Sequence, residues 1–214
     1  MNKAEQLIQK FKSKLDIFNL FLSERATDEE ITKAEKIIGI TFPKTLKDLL
    51  RITNGEGNKK YKYGIGLGIL GLYFLSIDEI IMEWQRFKEW DDYEKEVYQE
   101  RLLITNIYNP KRIPFASDGS GQLLCIDFDP NTHGDKGQII YLPCGEPEPT
   151  SVIAKNFDDY VEFIIKSIET ERIVLVDERE DWDEEDWENA ELYFEKTWKD
   201  DWTDVADEYN ANMK

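Results

Sequence analysis

The chain has 214 residues, 41% of them hydrophobic and 13% aromatic, enough for one sizeable domain with an appendage or for two small ones. Its formal net charge of −18 argues against direct nucleic-acid binding, because phosphate contacts need clustered Lys and Arg. The same field attracts a basic protein and speeds its encounter at low salt.

The N-terminal run MNKAEQLIQKFKSK scatters its charges and has no apolar h-region, so it does not read as a secretory signal. The uncharged stretch Tyr63 to Ile77 is too short and too glycine-rich to cross a bilayer. A cytoplasmic location is expected, with no membrane partner. Two cysteines, Cys125 and Cys144, give neither a disulfide framework nor C-x-x-C metal spacing. A single histidine, His133, leaves histidine-based metal and triad chemistry thin.

In chain order, Leu7, Phe11, Leu15, Phe18 and Leu22 recur at helical spacing and predict an N-terminal helix. Thr27 followed by Glu30 fits a capping box for the next helix, with Ile31, Ala34 and Ile38 on its buried face and Gly39 as its stop. Pro43 then opens a third helix, TLKDLLRIT, which ends at Asn54-Gly55. Beyond a polar turn, YGIGLGILGLYFLSI contains a literal G-x-G-x-x-G at Gly66, Gly68 and Gly71, with Asp91 about 20 residues on, where a dinucleotide site wants an acid. The context is wrong for that chemistry. The glycines precede a strand (GLYFLSI) instead of joining a strand to a helix N-terminus, and the following helix begins only near Ser76. Asp91 falls inside a predicted helix, WQRFKEWDDYEKEVYQ.

IPFASDGSGQLLCIDFDP reads as an extended entry, a turn at Asp118 to Gly121 and a strand, with GQIIYLP as its hairpin partner. VIAKNFDDYVEFIIKSIE reads as a helix with Phe157, Val161 and Ile164 on one face. From Asp177 to Tyr209 sixteen acids stand against three bases, a net of −13 that leaves −5 for the rest of the chain. Trp187, Ala190, Phe194, Trp198, Trp202, Val205 and Tyr209 step by 3 and 4, which predicts one long amphipathic helix with an aromatic stripe. Such a stripe folds against something, either its own domain or another chain.

Three segments together resemble the SUKH superfamily. EEITKAEKIIGITFPKTLKDLLRITNG carries Glu35, Gly39, Phe42-Pro43, Leu46, Leu50 and Asn54-Gly55 in the family's places. IPFASDGSGQLLCIDFDP carries Pro114-Phe115, Asp118, Gly119, Gly121 and Asp127, and NFDDYVEFII is similar to the closing helix, with Phe157 where the family often has Ser-Phe. The resemblance covers roughly Thr27 to Ile168. It implies an α+β domain, a mixed or antiparallel sheet framed by helices, with no catalytic machinery and no cofactor. The family includes fungal cell-wall-synthesis regulators and bacterial proteins that neutralise a cognate toxin. The insertion Trp84 to Leu103 and the acidic segment after Ile168 depart from its pattern. The expected organisation is an N-terminal helix (1–26), a SUKH-like domain (27–170) and an acidic, Trp-rich helical extension (171–214).

The residues offer little competing chemistry. Asp127, Asp129 and Asn131 sit at the first three ligand positions of a calcium loop, but Thr132 replaces its glycine and Gln138 its terminal glutamate, so turn-forming acids in a hairpin fit better. Ser120 lacks a G-x-S-x-G frame, and Cys125 alternates inside a strand. A metal-dependent hydrolase using the acids is left without support. The candidate partner-binding residues are Asp118, Asp127 and Asp129 in the turns and Asp183, Glu184, Asp186, Trp187, Glu191, Trp198 and Trp202 in the acidic segment. The leading expectation is a non-enzymatic immunity protein that neutralises a cognate toxin with a basic surface, such as a nuclease. The alternative is an intracellular regulatory or scaffold protein of the cell-wall-regulator type.

Overall fold

The computed structural model describes residues 1–15, 18–56, 72–89, 94–106, 108–143, 148–177, 192–196 and 202–211. The glycine triplet Gly66, Gly68 and Gly71, together with Asp91, lies outside them. Helix α1 (Lys3–Lys14) is closed at its start by a capping box from Asn2 and Glu5 and leads to a 3-10 turn, Phe18–Phe21. The ring of Phe18 stacks on Phe11 at 5.3 Å. Helix α2 (Asp28–Ile38) has the predicted box: Glu30 N–H donates to Thr27 Oγ1 and Thr27 N–H to the Glu30 carboxylate. Gly39 ends it at φ +78°, a left-handed conformation that favours glycine.

Helix α3 (Lys44–Leu50) follows Pro43 and stops earlier than its pattern suggested. The chain then enters a tight crossing with the start of α4 (Ile77–Glu89). Asn54 Oδ1 accepts from Ile77 N–H at 2.8 Å, and Ser76 and Glu79 form a third reciprocal box. Gly55 lies at φ +87°, and a Cβ there would come within 2.6 Å of Ser76 N.

The sheet is antiparallel, in the order β1 (Tyr73–Phe74), β2 (Arg112–Ser117), β3 (Leu123–Asp127), β4 (Gln138–Leu142), β5 (Ser151–Ala154). Every residue of β2 to β5 is buried, so this sheet has no wet face. Leu124, Ile126, Ile139, Tyr141 and Ile153 face a core shared with α1, α3 and α5 (Phe157–Glu169), where Phe115 meets Phe157 edge-on at 5.1 Å. Leu123, Cys125, Ile140, Leu142 and Val152 face a second cluster closed by Phe87, Val97 and Leu103. The architecture is α+β, as the pattern of elements implied.

Three predicted helices are corrected. The pattern WQRFKEWDDYEKEVYQ does not continue as helix beyond Glu89 in the described residues. Residues 94–106 form a strap with isolated bridges Glu94 to Asn106 and Val97 to Thr150, because Val97 and Leu103 are needed over the second face of the sheet. The start of VIAKNFDDYVEFIIKSIE is strand β5, and the helix begins only after Asn156, whose side chain caps Asp159 N–H at 2.9 Å. The long aromatic helix is divided: Phe194 lies in a strand, β7 (Leu192–Lys196), paired with Leu175 of β6 (Ile173–Asp177) in a separate hairpin. Among the described residues of this segment, Trp202–Ala211 forms helix α6. Sheet pairing and core contact override a local period in all three.

Gly55→Ala must strain a left-handed backbone and push Cβ into the backbone of Ser76. The expected loss is about 2 kcal/mol or more in chemical unfolding. A loss below about 0.5 kcal/mol would show that the crossing of the α3 exit and the α4 start tolerates movement.

Candidate partner-binding surface

The turn residue Asp118 is an Asx-type anchor. Its Oδ1 accepts the N–H groups of Ser120, Gly121 and Gln122 at 2.8, 3.1 and 3.0 Å, and its Oδ2 accepts Ser120 Oγ–H at 2.5 Å. The aromatic ring of Tyr73 lies beside Gly119, where an added Cβ would be 3.5 Å from its hydroxyl. Ser120 thus serves the turn, and Cys125 is fully buried, which pushes its thiol well above the ordinary range.

Asp127 sits at the opposite end of β3 and does not reach the surface. It is 0% exposed and ion-paired with Arg112, itself 0% exposed, at 3.3 Å. Its other oxygen accepts from Gln138 Nε2 at 3.0 Å. Arg112 also donates to the main-chain carbonyls of Asn106 and Ile104, and Gln138 to that of Leu102. Asn131 Nδ2 donates to Glu100 O, and His133 N–H to Arg101 O. The buried cluster therefore grips the strap by its carbonyls. In the loop that sequence spacing likened to a calcium site, a guanidinium already neutralises Asp127. Asp129 is half-exposed and bound to Lys111 and Asn109, which hold its carboxyl below the usual carboxylate range.

Trp202 is corrected in the same way: it is buried, not displayed. Its ring stacks on Tyr141 at 4.8 Å, and its main-chain N–H donates to Glu148 Oε1, whose other oxygen accepts the Tyr141 hydroxyl at 2.9 Å. Val205, Ala206 and Tyr209 bury alongside it in the main core, so α6 docks on its own domain. Asp183, Glu184, Asp186, Trp187, Glu191 and Trp198 lie outside the described residues. The structure thus separates the described candidates into two ends of the sheet and its core.

A feature the sequence did not reveal is a cleft of about 540 Å³ between α5 and α6. Phe163 and Tyr209 meet edge-on at 6.3 Å on its wall, and Asp159, Glu162, Lys166 and Arg172 line it with both signs of charge. Burial pushes the Tyr209 hydroxyl up, and that hydroxyl accepts Lys155 N–H at 3.0 Å. Glu162 pairs with both Lys3 and Lys166, and Arg172 pairs with Glu208. The only sequence signal for this cleft was the helical spacing of Tyr209 with Trp202 and Val205; Phe163 lies off the predicted apolar face of α5. An apolar wall with a mixed-charge rim suits a polypeptide segment. Among the described residues no group of three or more His, Cys, Asp or Glu side chains is placed to hold a metal ion.

The fold and its turn anchors define an α+β domain of the SUKH type, and no described helix is long and apolar enough to cross a membrane. Residues 25–162, well over half the chain, match the SMI1 / KNR4 family (SUKH-1), and the chain belongs to that family. It is 22% identical over 203 residues to the cell wall assembly regulator SMI1 of Saccharomyces cerevisiae, covering 77% of this chain and 39% of the relative. It is 23% identical over 225 residues to the KNR4/SMI1 homolog of Kluyveromyces lactis, covering 75% of this chain and 42% of the relative. The chain thus spans under half the length of these curated relatives.

Two substitutions test the assignments. Asp127→Asn leaves Arg112 buried without its counter-charge and should cost about 3–5 kcal/mol, read by chemical unfolding. Trp202→Ala should cost about 3–5 kcal/mol, as for a large core aromatic. A change within about 0.5 kcal/mol would instead mark Trp202 as a surface residue.

Proposed function

We propose that the chain acts without catalysis, by binding other proteins in the cytoplasm as a regulatory or scaffold module of the cell-wall-regulator type. The observation that supports it most is family membership, together with a relative named as a cell wall assembly regulator that matches 77% of this chain. The geometry agrees with a binding role. Among the described residues, the acids that could have served catalysis are occupied in a turn (Asp118), a buried ion pair (Asp127) or a surface pair (Asp129). The cleft beside Phe163 and Tyr209 offers a contact surface of mixed polarity.

One observation favours a second reading, neutralisation of a basic toxin: the charge of −18, with −13 between Asp177 and Tyr209. Acidic surfaces suit inhibitors of nucleases, whose substrate grooves must be electropositive.

Affinity capture by the full chain from its native cell extract, with the neighbouring gene's product added, separates the two. The regulator reading expects several partners, none in strict 1:1 ratio. The toxin reading expects one basic protein in a 1:1 complex, with an on-rate that falls roughly tenfold or more as salt is raised from about 50 to 500 mM. A folded chain that captures no protein under either condition contradicts both.

A further inference from the structure

Strand β5 closes one side of the sheet, and its outer edge is sealed in an unusual way. At Thr150 the strap behaves as a parallel sixth strand: Thr150 N–H donates to Glu96 O at 3.1 Å, and Tyr98 N–H donates to Thr150 O at 2.8 Å. A continuing strand would satisfy Val152 with its next main-chain groups. Here the strap turns away, and the Gln99 side-chain amide takes their place: its Oε1 accepts Val152 N–H at 2.6 Å and its Nε2 donates to Val152 O at 3.5 Å. The next outward N–H, at Lys155, is taken by the Tyr209 hydroxyl from α6. One side-chain amide and one hydroxyl therefore replace the backbone that would otherwise extend the sheet.

We infer that this edge, from Val152 to Lys155, is a strand-addition site plugged by Gln99, and that its occupant is an extended basic segment of a partner protein. The inference rests on the protein-binding reading and supplies its contact. A side-chain plug holds fewer ordered groups than a strand and is released by rotation about side-chain bonds, whereas the Thr150 bridge requires main-chain movement. An incoming strand would take over the hydrogen bonds that Gln99 now makes to Val152. The edge also runs into the cleft at Tyr209, whose ring lines one and whose hydroxyl seals the other.

The occupant's charge follows from what flanks the edge. Glu96 and Glu100 are exposed on the strap, and Asp207, also exposed, receives the Tyr98 hydroxyl at 2.8 Å. At the cleft end Asp159 stands with Lys166 and Arg172, each paired with a glutamate (Glu162 and Glu208). Lys155 is exposed at the end of the edge, so the excess of acid comes from Glu96, Glu100 and Asp207. A second copy of the chain is disfavoured because each carries a net −18. Lys or Arg at alternate positions of an added strand would face these acids while the intervening residues lean toward Val97 and the sheet.

The test uses the full chain, as wild type and as Gln99→Ala, with blocked hexapeptides alternating Val and Lys, the same peptides with N-methylated amides, and peptides alternating Val and Glu. Affinity and amide exchange at Val152 are read together. The expected result is at least tenfold tighter binding of the Val-Lys peptide to Gln99→Ala than to wild type. Val152 N–H should exchange faster in the free variant and become protected on binding, and neither control peptide should reproduce this. Gln99→Ser carries the same expectation if the alanine variant does not fold. Unaltered affinity overturns the plug. Binding without Val152 protection, or equal binding of the N-methylated peptide, overturns strand addition but leaves the protein-binding reading standing. Concentration-dependent dimers with Val152 protected, in the absence of peptide, would assign the edge to a second copy and overturn the basic partner.

Discussion

A guanidinium removed from water has to be neutralised and have its donors satisfied, and Arg112 imposes that condition on a large part of this molecule. Its partner Asp127 supplies the charge, and the strap supplies carbonyls at Ile104 and Asn106. Because those carbonyls belong to main chain, satisfying Arg112 fixes the path of residues 102–106, with Gln138 fixing Leu102 from the adjacent strand. That path lays Leu103 and Val97 over the second face of the sheet. It also delivers Glu96 to Gln99 to the edge of β5. One buried ion pair thus positions the cover, and the cover closes the sheet.

The motif residues shared with the family and the segments that depart from it have different physical tasks. Glu35, which accepts Phe42 N–H and pairs with Lys47, holds the bend between α2 and α3. Asn54 and Gly55 hold the approach of the α3 exit to α4, and Asp118 holds a hairpin turn. These positions specify turns and helix starts, so they can recur in proteins with different partners. The insertion and the C-terminal helix do the covering instead. Tyr98 of the strap meets Asp207 of α6, so the two departures join at the rim of the same edge. The shared frame carries these added parts.

Much of the frame was legible in the sequence because local chemistry determines it. The capping box of Thr27 and Glu30, the left-handed Gly39, the Asp118 turn and the short apolar runs of the strands all act within a few residues. The misread elements share a different cause. Val152 and Ile153 sit next to a helix and share its apolar character, yet ladder pairing with β4 makes them strand. Phe194 falls in step with Trp198 and Trp202, but its backbone pairs with Leu175. Asp127 reads as a surface acid among turn residues, and only the three-dimensional position of Arg112, fifteen residues earlier, turns it inward. The cleft beside Tyr209 depends on how α6 meets α5, which no local pattern states. Of the candidate binding residues, the core claims Asp127 and Trp202, which spacing alone could not say.

The strap and α6 are integral to the domain and close the sheet from both departures. Native-state hydrogen exchange over α6, the strap and β4 tests this most directly. If the account holds, the amides of Val205 to Tyr209 and the Tyr98 N–H will exchange with free energies near that of β4, since all report the same global opening. If those amides exchange freely while β4 remains protected, α6 and the strap are loose additions to a core that closes without them, and the account fails.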